Sequence, residues 1–283
     1  MTLRRLQLDT SWGRLTLAGG SRAGEGTIIL LPQLRLALDA GRPHRALPPM
    51  STLVLSHGHL DHLGALGYWL SQRFLMRMGP GTLIVPEAIA GDVRQLVALF
   101  ARLEGGRPYD VRLESAREGA VHPLRGDLEL EFFRTDHWVE TLGVEVGWRR
   151  RHLRPELNGL PREEIVRRRQ EGQEVTVEER LSLLAYGADT GPGLLTRRAD
   201  LLAAEVLLLE CSFFAEPDRA RAERYGHLHL ADLVALADRL ACRHLVLLHG
   251  SRRERLRDIE AALARDLEPH LRCTLHHLMV DWE

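Results

Sequence analysis

One stretch constrains this chain more than any other: residues 56–64, which read Ser-His-Gly-His-Leu-Asp-His-Leu-Gly. An apolar run at 52–55 precedes it and predicts a short buried strand. The apolar positions of residues 63–75 recur at helical spacing and predict a helix after it. Imidazoles and a carboxylate are therefore concentrated at a strand-to-helix turn.

The spacing of these side chains favours two neighbouring binding points. On extended backbone, His57 and His59 share one face, whereas Asp61 and His62 face the adjoining position where the chain bends. Imidazole nitrogen and carboxylate oxygen suit Zn²⁺, and also Fe or Mn. A solvated histidine-rich turn is the alternative, but the pattern indicates a metal site.

Composition excludes several classes of protein. A formal net charge of −1 in 283 residues gives no global signature of a nucleic-acid binder, so such binding requires a local patch. Three widely spaced cysteines argue against a disulfide framework and against cysteine-ligated zinc. No apolar leader and no run of about 18 apolar residues is present. We therefore expect a soluble, cytoplasmic protein.

Strand signals come first as a meander and then alternate with helix signals in both halves of the chain. The predicted strands are 4–8, 14–18, 27–31, 35–39, 52–55, 83–85, 128–134, 143–148, 183–187, 206–210, 244–248 and 273–280. The predicted helices are 63–75, 86–103, 228–241 and 253–265. This order predicts an α/β fold, an αβ/βα four-layer sandwich of two mixed sheets flanked by helices, as a single domain over residues 1–283.

Side chains with metal or acid–base chemistry recur where predicted strands end. Beyond residues 56–64 these are His137, Asp189, Glu210 and His249. Strands that deliver such residues to one edge of a sheet make a single site plausible.

These motifs together resemble the metallo-β-lactamase fold superfamily. Within it the chain resembles ribonuclease Z, the tRNA 3′-processing endonuclease, in its short plant-like form. The resemblance extends over nearly the whole chain and includes residues 26–29, 38–41, 153–161, 186–190, 209–213, 225–229 and 248–251.

The resemblance implies a dinuclear zinc centre. One zinc would be held by His57, His59 and His137, the other by Asp61, His62 and His249, with Asp189 bridging them. Three protein ligands and a shared carboxylate for each ion leave room for a bridging water. A strand-end histidine bonded to backbone, at His137, and an ordinary Asx-turn, at Asp189, are the alternatives. Ala188 stands where the family usually has glycine before this aspartate.

The resemblance also implies an acid–base pair. Glu210 would orient a histidine that protonates the leaving oxygen, and the matching residue is His227, with His229 as the second choice. Capping of the following helix is the alternative role for either histidine. The predicted catalytic residues are thus His227, Glu210 and Asp61.

Substrate binding is predicted at two places. Ser251 and Arg253 keep their family positions, and Arg253 could contact a phosphate by a bidentate hydrogen bond, although an exposed helical arginine is an equal alternative. Arg150 and Arg151 belong to a basic patch in an Arg/Glu-rich insertion, 149–182, for which a solvated, salt-bridged helix is the alternative. Many bacterial relatives carry a long arm here that grips tRNA, and no long Gly/Pro-rich arm is visible in this sequence.

The function hypothesis is a dinuclear phosphodiesterase that removes the 3′ trailer of precursor tRNA, with a metal-bridging hydroxide as nucleophile. A hydrolase of a small substrate on the same scaffold, acting on a cyclic nucleotide or other phosphodiester, a thioester or a lactone, is the first alternative. A metal-binding interaction module without turnover is the second, and the Glu210–His227 pair disfavours it. A homodimer is implied by the resemblance alone.

Overall fold

The computed structural model describes residues 2–282, and its two seven-stranded sheets confirm the predicted sandwich. The strands are β1 (Arg4–Thr10), β2 (Gly13–Arg22), β3 (Gly26–Leu31), β4 (Leu36–Ala40), β5 (Thr52–Val54), β6 (Gly81–Pro86), β7 (Val111–Ala116), β8 (Val121–Arg125), β9 (Leu128–Arg134), β10 (Leu142–Leu153), β11 (Thr176–Tyr186), β12 (Val206–Glu210), β13 (His244–Leu248) and β14 (Thr274–His277). The α-helices are α1 (Leu60–Leu63), α2 (Leu66–Leu75), α3 (Glu87–Leu103), α4 (Arg162–Gln170), α5 (Gly193–Arg197), α6 (Arg219–Tyr225), α7 (Leu230–Val234) and α8 (Leu256–Ala262).

Both sheets have the same topology. In the first, β1 to β4 form an antiparallel meander, and β5, β6 and β7 then add in parallel. In the second, β8 to β11 form the meander, and β12, β13 and β14 add in parallel. The predicted order of a meander followed by alternating strands and helices is therefore correct in each half.

The period-two alternation of the strands builds three layers of core. Ile29 on β3 and Leu208 on β12 face into the layer between the sheets. Their neighbours Ile28 and Leu207 face outward, where α2 and α3 cover the first sheet and the C-terminal helices cover the second. Leucine- and valine-rich strands buried on both faces are what this arrangement requires.

Neither β7 nor β8 is predicted from the sequence. Both are edge strands in which charged or polar residues interrupt the apolar ones without strict alternation, so neither gives a clear strand signal. The proline of β8, Pro123, is tolerated at an edge because a ladder hydrogen bond is not needed there.

Residues 149–182 form a ribbon and not a continuous helix. The pairing of β9 with β10 ends at Trp148, and beyond it β10 pairs with β11 alone. Helix α4 closes the far end of this ribbon. Arg151 on β10 forms an ion pair with Glu178 on β11 at 3.3 Å. Arginine and glutamate can form such pairs across two strands as well as along a helix, so this composition also suits a salt-bridged helix.

Three predicted boundaries near the C-terminus are wrong. Helix α7 begins at Leu230, because Leu228 and His229 lie on extended backbone that pairs with Phe213. Helix α8 begins at Leu256, so Arg253 precedes it. The last strand, β14, is limited to four residues. Between residues 2 and 282 no helix has both the length and the apolar character needed to cross a membrane.

Candidate metal centre

The candidate site lies at one edge of the sandwich, where strands of both sheets end. Its residues follow β5, β9, β11 and β13 or, as with Glu210, end β12. Backbone hydrogen bonds join the sheets here: the amide of Leu142 donates to the carbonyl of Ser56 at 3.0 Å, and that of Ala23 to Gly250 at 3.2 Å. The carboxyl ends of parallel strands therefore converge on one point.

The seven predicted ligands are brought together in two groups. Within each group the donor atoms lie within 4.8 Å of one another. The first group is His57, His59, His137 and Asp189, and the second is Asp61, His62 and His249. Each combines residues from both sheets, and the division is the one that the resemblance implies.

Asp189 belongs to the first group and also faces the second. Its carboxylate oxygens are 3.7 Å from Nε2 of His57 in the first group and 3.4 Å from Nε2 of His62 and of His249 in the second. A carboxylate in this position can bridge two cations.

Four of the site histidines, His57, His62, His137 and His249, each have one ring nitrogen in a hydrogen bond, which leaves the other for a cation. Nδ1 of His57 contacts the Ser56 hydroxyl at 2.9 Å, and Nδ1 of His137 contacts the carbonyl of Gly226 at 3.1 Å. Within the described residues, Nε2 of His137 is buried and has no hydrogen-bond partner. A buried, unpartnered nitrogen in this cluster fits a divalent metal, since metal-bound histidines commonly use their other ring nitrogen for such a hydrogen bond.

Burial keeps several of these imidazoles neutral. It lowers the pKa of His57 to about 2, and it also lowers the pKa of His59 and His137. A neutral imidazole has the free lone pair that a metal needs. In the second group, burial is outweighed by Asp189 and Asp39, which raise the pKa of His62, so a bound cation would compete with a proton for its Nε2.

The carboxylates of the centre remain ionised. Burial opposes ionisation of Asp61, but a hydrogen bond from His249 and the charge of His62 hold the pKa of Asp61 below its usual range. Asp189 is likewise buried, and His249 and His62 hold its pKa well below its usual range. Asp61 also accepts a hydrogen bond from the amide of Gly24 at 2.7 Å.

Asp39 and Tyr186 support the centre and are not predicted from the sequence. Asp39 accepts hydrogen bonds from Nδ1 of His62 at 2.8 Å, from the Ser56 hydroxyl at 2.8 Å and from the Tyr186 hydroxyl at 2.6 Å. It therefore orients a histidine of each group, His62 directly and His57 through Ser56. An aspartate inside the apolar run of β4 is the sequence signal that could have identified it.

Backbone conformations with positive φ cluster around the site. Asp39 has φ 58°, Ala188 48° and His249 63°, all in the left-handed region. Such conformations are costly for residues other than glycine and occur often at functional sites. The strain at Ala188 agrees with the expected family preference for glycine there.

The predicted acid–base residues are in contact. Nδ1 of His227 donates to the Glu210 carboxylate at 2.6 Å, and the His227 ring stacks on that of His249 with centroids 5.3 Å apart. Burial opposes protonation, but the neighbouring carboxylate of Glu210 raises the pKa of His227 to about 9. The imidazole therefore keeps its proton at neutral pH.

His229 has a different environment. Its Nδ1 accepts a hydrogen bond from the amide of Ala231 at 3.1 Å, and Asp232 completes a capping box at the start of α7. Its Nε2 contacts the carbonyl of Ala215 at 3.1 Å. Both ring nitrogens are engaged with backbone, so the capping alternative describes His229 and not His227.

The predicted substrate contacts lie at unequal distances from the centre. Ser251 is buried two residues after His249, and its hydroxyl accepts from the amide of the exposed Arg253 at 3.3 Å. Arg150 and Arg151 lie on the ribbon, eight or more residues along β10 from Leu142, which corresponds to roughly 27 Å of strand. Contacts from Arg150 and Arg151 would therefore reach only the remote part of a long substrate.

Comparison with known proteins shows the family of this chain. Residues 4–250 match the family described as the beta-lactamase superfamily domain. The chain is 32% identical to tRNase Z TRZ1 of Arabidopsis thaliana over 88% of this chain and 89% of that protein.

Solved structures are similar in fold at low sequence identity. The metallo-beta-lactamase fold protein YhfI of Bacillus subtilis superposes with a TM-score of 0.62 at 15% identity, over 91% of this chain and 93% of that chain. The short form of human tRNase Z superposes with a TM-score of 0.53 at 14% identity, over 100% of this chain and 99% of that chain. Such low identities bear on the fold alone.

The predicted fold and family are thereby confirmed, and with them the class of metal-dependent hydrolase. The chain belongs to the β-lactamase superfamily and, within it, to the ribonuclease Z family.

Proposed function

We propose that this chain is a ribonuclease Z, an endonuclease that removes the 3′ trailer from precursor tRNA. The observation that carries the proposal is the adjacency of two candidate ligand groups, which share Asp189, to the hydrogen-bonded pair of His227 and Glu210. A scaffold that only bound metal would have no need of a proton donor beside it. The family relationship to tRNase Z TRZ1 supports the same substrate.

The two groups would hold two divalent cations with the predicted division. His57, His59 and His137 would bind one, and Asp61, His62 and His249 the other, with Asp189 between them. When bound, such ions polarise the phosphoryl group and lower the pKa of water. We propose zinc, since the donors are imidazole and carboxylate, and iron and manganese fit the same donor set.

His227 would protonate the departing 3′-oxygen of the tRNA body. Its Nδ1 is occupied by Glu210, which leaves Nε2 as the atom that can reach a substrate. His227, Asp189 and His249 offer donor atoms within 4.8 Å of one another, so the His227 ring lies beside the second group. The products would be a 3′-hydroxyl on the tRNA and a 5′-phosphate on the trailer.

Phosphate contacts at two distances would position a long substrate. Arg253 lies near the centre, where its guanidinium could hold a phosphate close to the cleaved bond. Arg150 and Arg151 would contact the remote part of the tRNA from the ribbon, although the pairing of Arg151 with Glu178 reduces its free charge. Steep loss of RNA affinity with salt would support these contacts, and a flat response would contradict them.

We further propose a homodimer in the cytoplasm. Three free cysteines agree with a reducing compartment. Exposed apolar side chains at the ends of α2 and α3, among them Leu75 and Leu103, offer a surface for a second copy. Light scattering on the purified protein tests the dimer, and a monomer at micromolar concentration would contradict it.

The decisive experiment offers the purified protein three substrates in parallel: a precursor tRNA with a 3′ trailer, a chromogenic phosphodiester and a thioester. We expect cleavage one nucleotide beyond the acceptor stem, with the ends stated above. Turnover of the phosphodiester or the thioester without cleavage of the tRNA would select the small-substrate hydrolase and refute the proposal.

A further inference from the structure

Three exposed apolar side chains stand within two residues of candidate-site residues in the sequence. Trp138 follows His137 directly and is 70% exposed. Leu60, between His59 and Asp61, is 77% exposed, and Tyr225, two residues before His227, is 43% exposed. Single exposed apolar residues are ordinary on a protein surface, but here three from different segments adjoin site residues in the chain.

The indole of Trp138 lies against the first ligand group. Its ring centroid is 5.5 Å from that of His59 and 6.2 Å from that of His137. The indole contacts these imidazoles but is otherwise exposed, so an aromatic surface next to the candidate centre is open to solvent. Packing therefore does not explain why a tryptophan stands at this position.

An exposed aromatic ring beside a phosphodiester site suits an unpaired nucleobase. Sequence-tolerant binding of single-stranded nucleic acid uses aromatic side chains on which bases stack, and each such base contributes roughly 5- to 150-fold in affinity. The 3′ trailer of a precursor tRNA is single-stranded beyond the acceptor stem, so its bases are free to stack.

Resting on the proposed function, we propose that Trp138 stacks on the base of the first trailer nucleotide, whose 5′-phosphate is the one cleaved. Trp138 is a binding residue that positions this phosphate and takes no part in proton transfer.

The position of His227 indicates that Trp138 is on the trailer side of the cleaved phosphate. His227 serves the 3′-oxygen, so the last nucleotide of the tRNA body lies on its side of the site. Among the described residues the indole pairs with His59 and His137, whereas His227 pairs with His137, Phe213 and His249. The indole therefore suits the trailer, which keeps the cleaved phosphate, better than it suits the tRNA body.

Kinetics provide the first test. For W138A we expect a KM for precursor tRNA raised roughly tenfold, a kcat within about threefold of wild type, and partial rescue by W138F. The loss should exceed that for bis(p-nitrophenyl) phosphate, which has no nucleobase. V121A, which removes an exposed apolar side chain from the edge strand β8, should match wild type. An unchanged KM in W138A would overturn the proposal.

Fluorescence provides a test that does not require turnover. A 5′-phosphorylated trailer oligonucleotide should quench tryptophan emission in wild type and not in W138F. The same oligonucleotide with an abasic first position should fail to quench. Quenching that persists in W138F would contradict the proposal. An abasic second position that abolishes quenching as fully as an abasic first position would contradict the assignment to the first base. If wild type leaves precursor tRNA uncut, the proposed function fails, while the quenching still reports separately on stacking.

Discussion

The Glu210 carboxylate accepts a hydrogen bond from Nδ1 of His227 at 2.6 Å, and its second oxygen accepts one from the Ser212 hydroxyl, also at 2.6 Å. Ser212 in turn contacts Nδ1 of His249 at 2.9 Å. One buried carboxylate therefore orients both the proposed proton donor and a proposed metal ligand. Loss of this charge should affect proton donation more than it affects the fold.

For H227A we expect kcat on precursor tRNA to fall by roughly 10²–10⁴-fold, the range for removal of a general acid. E210Q should cost roughly 10–100-fold, because the imidazole stays oriented by an uncharged acceptor. Both losses should be smaller on bis(p-nitrophenyl) phosphate, whose leaving group departs without a proton. Equal losses on the two substrates would contradict the assigned role of His227.

His229 should be important for stability and not for turnover. H229A removes the cap of α7 and should lower the free energy of unfolding by about 1 kcal/mol. H229N restores a capping acceptor and should return most of that stability. Urea unfolding measures the first effect, and steady-state kinetics check that kcat stays near wild type in H229N. A loss of kcat in H229N comparable to that of H227A would show that the donor was assigned to the wrong histidine.

The protein should bind one metal ion at each of the two ligand groups. Elemental analysis should give two equivalents of metal for wild type and about one fewer for H59A, which should lack activity on both phosphodiesters. Chelation should lower the thermal midpoint, because a ligand present at a hundred times its Kd stabilises the folded state by about 2.7 kcal/mol. H270A, at an exposed histidine away from the site, serves as the control. Full turnover in H59A would refute the centre.

Gly41 should tolerate no side chain. A Cβ at this position would overlap the carbonyl oxygen of Asp61 and lie 2.7 Å from the amide nitrogen of Thr27, both backbone atoms. We expect G41A to lose about 2–3 kcal/mol of stability and to displace the Asp61 ligand. At Gly58 the nearest atom is a methyl of Ile89 at 3.8 Å, so G58A is the matched control. A G41A variant as stable as G58A would contradict the packing described here.

Acidification should remove the stability that Glu129 contributes at the base of the ribbon. Burial raises the pKa of Glu129, but hydrogen bonds from Arg180 at 2.8 Å and Arg149 at 2.7 Å outweigh it and lower that pKa. A depressed folded-state pKa gives stability that is present above the unfolded value, near 4.3, and is lost as pH falls through the folded value. In urea unfolding with EDTA present, E129Q should be less stable than wild type at pH 7, and the difference should shrink below about pH 4. A difference independent of pH would contradict this.

The candidate ligands could be predicted from sequence because each stands at the end of an apolar run. His137, Asp189 and His249 are far apart in the chain, yet the rule that parallel strands end at one edge brings them together. The supporting residues could not be found in this way. Tyr186 is a buried aromatic residue like many others, and its hydrogen bond to Asp39 depends on how the two sheets face each other.

The errors in the predicted elements have physical reasons. The periodicity of residues 228–241 is apolar enough for a helix, but His229 is held extended by its pairing with Phe213. The arginines and glutamates of residues 149–182 pair equally well along a helix or across two strands. The ribbon forms because β10 and β11 continue to pair with each other beyond the rest of the sheet, which the composition does not indicate.

Both candidate ligand groups take histidines from each half of the molecule: His57 and His137 in the first, His62 and His249 in the second. Bound ions would consequently cross-link the two half-molecules. Any motion that separates the sheets at this edge would release the ions, and loss of an ion would weaken the contact between the sheets. Occupancy of the centre and the packing of the two halves against each other would therefore be thermodynamically coupled.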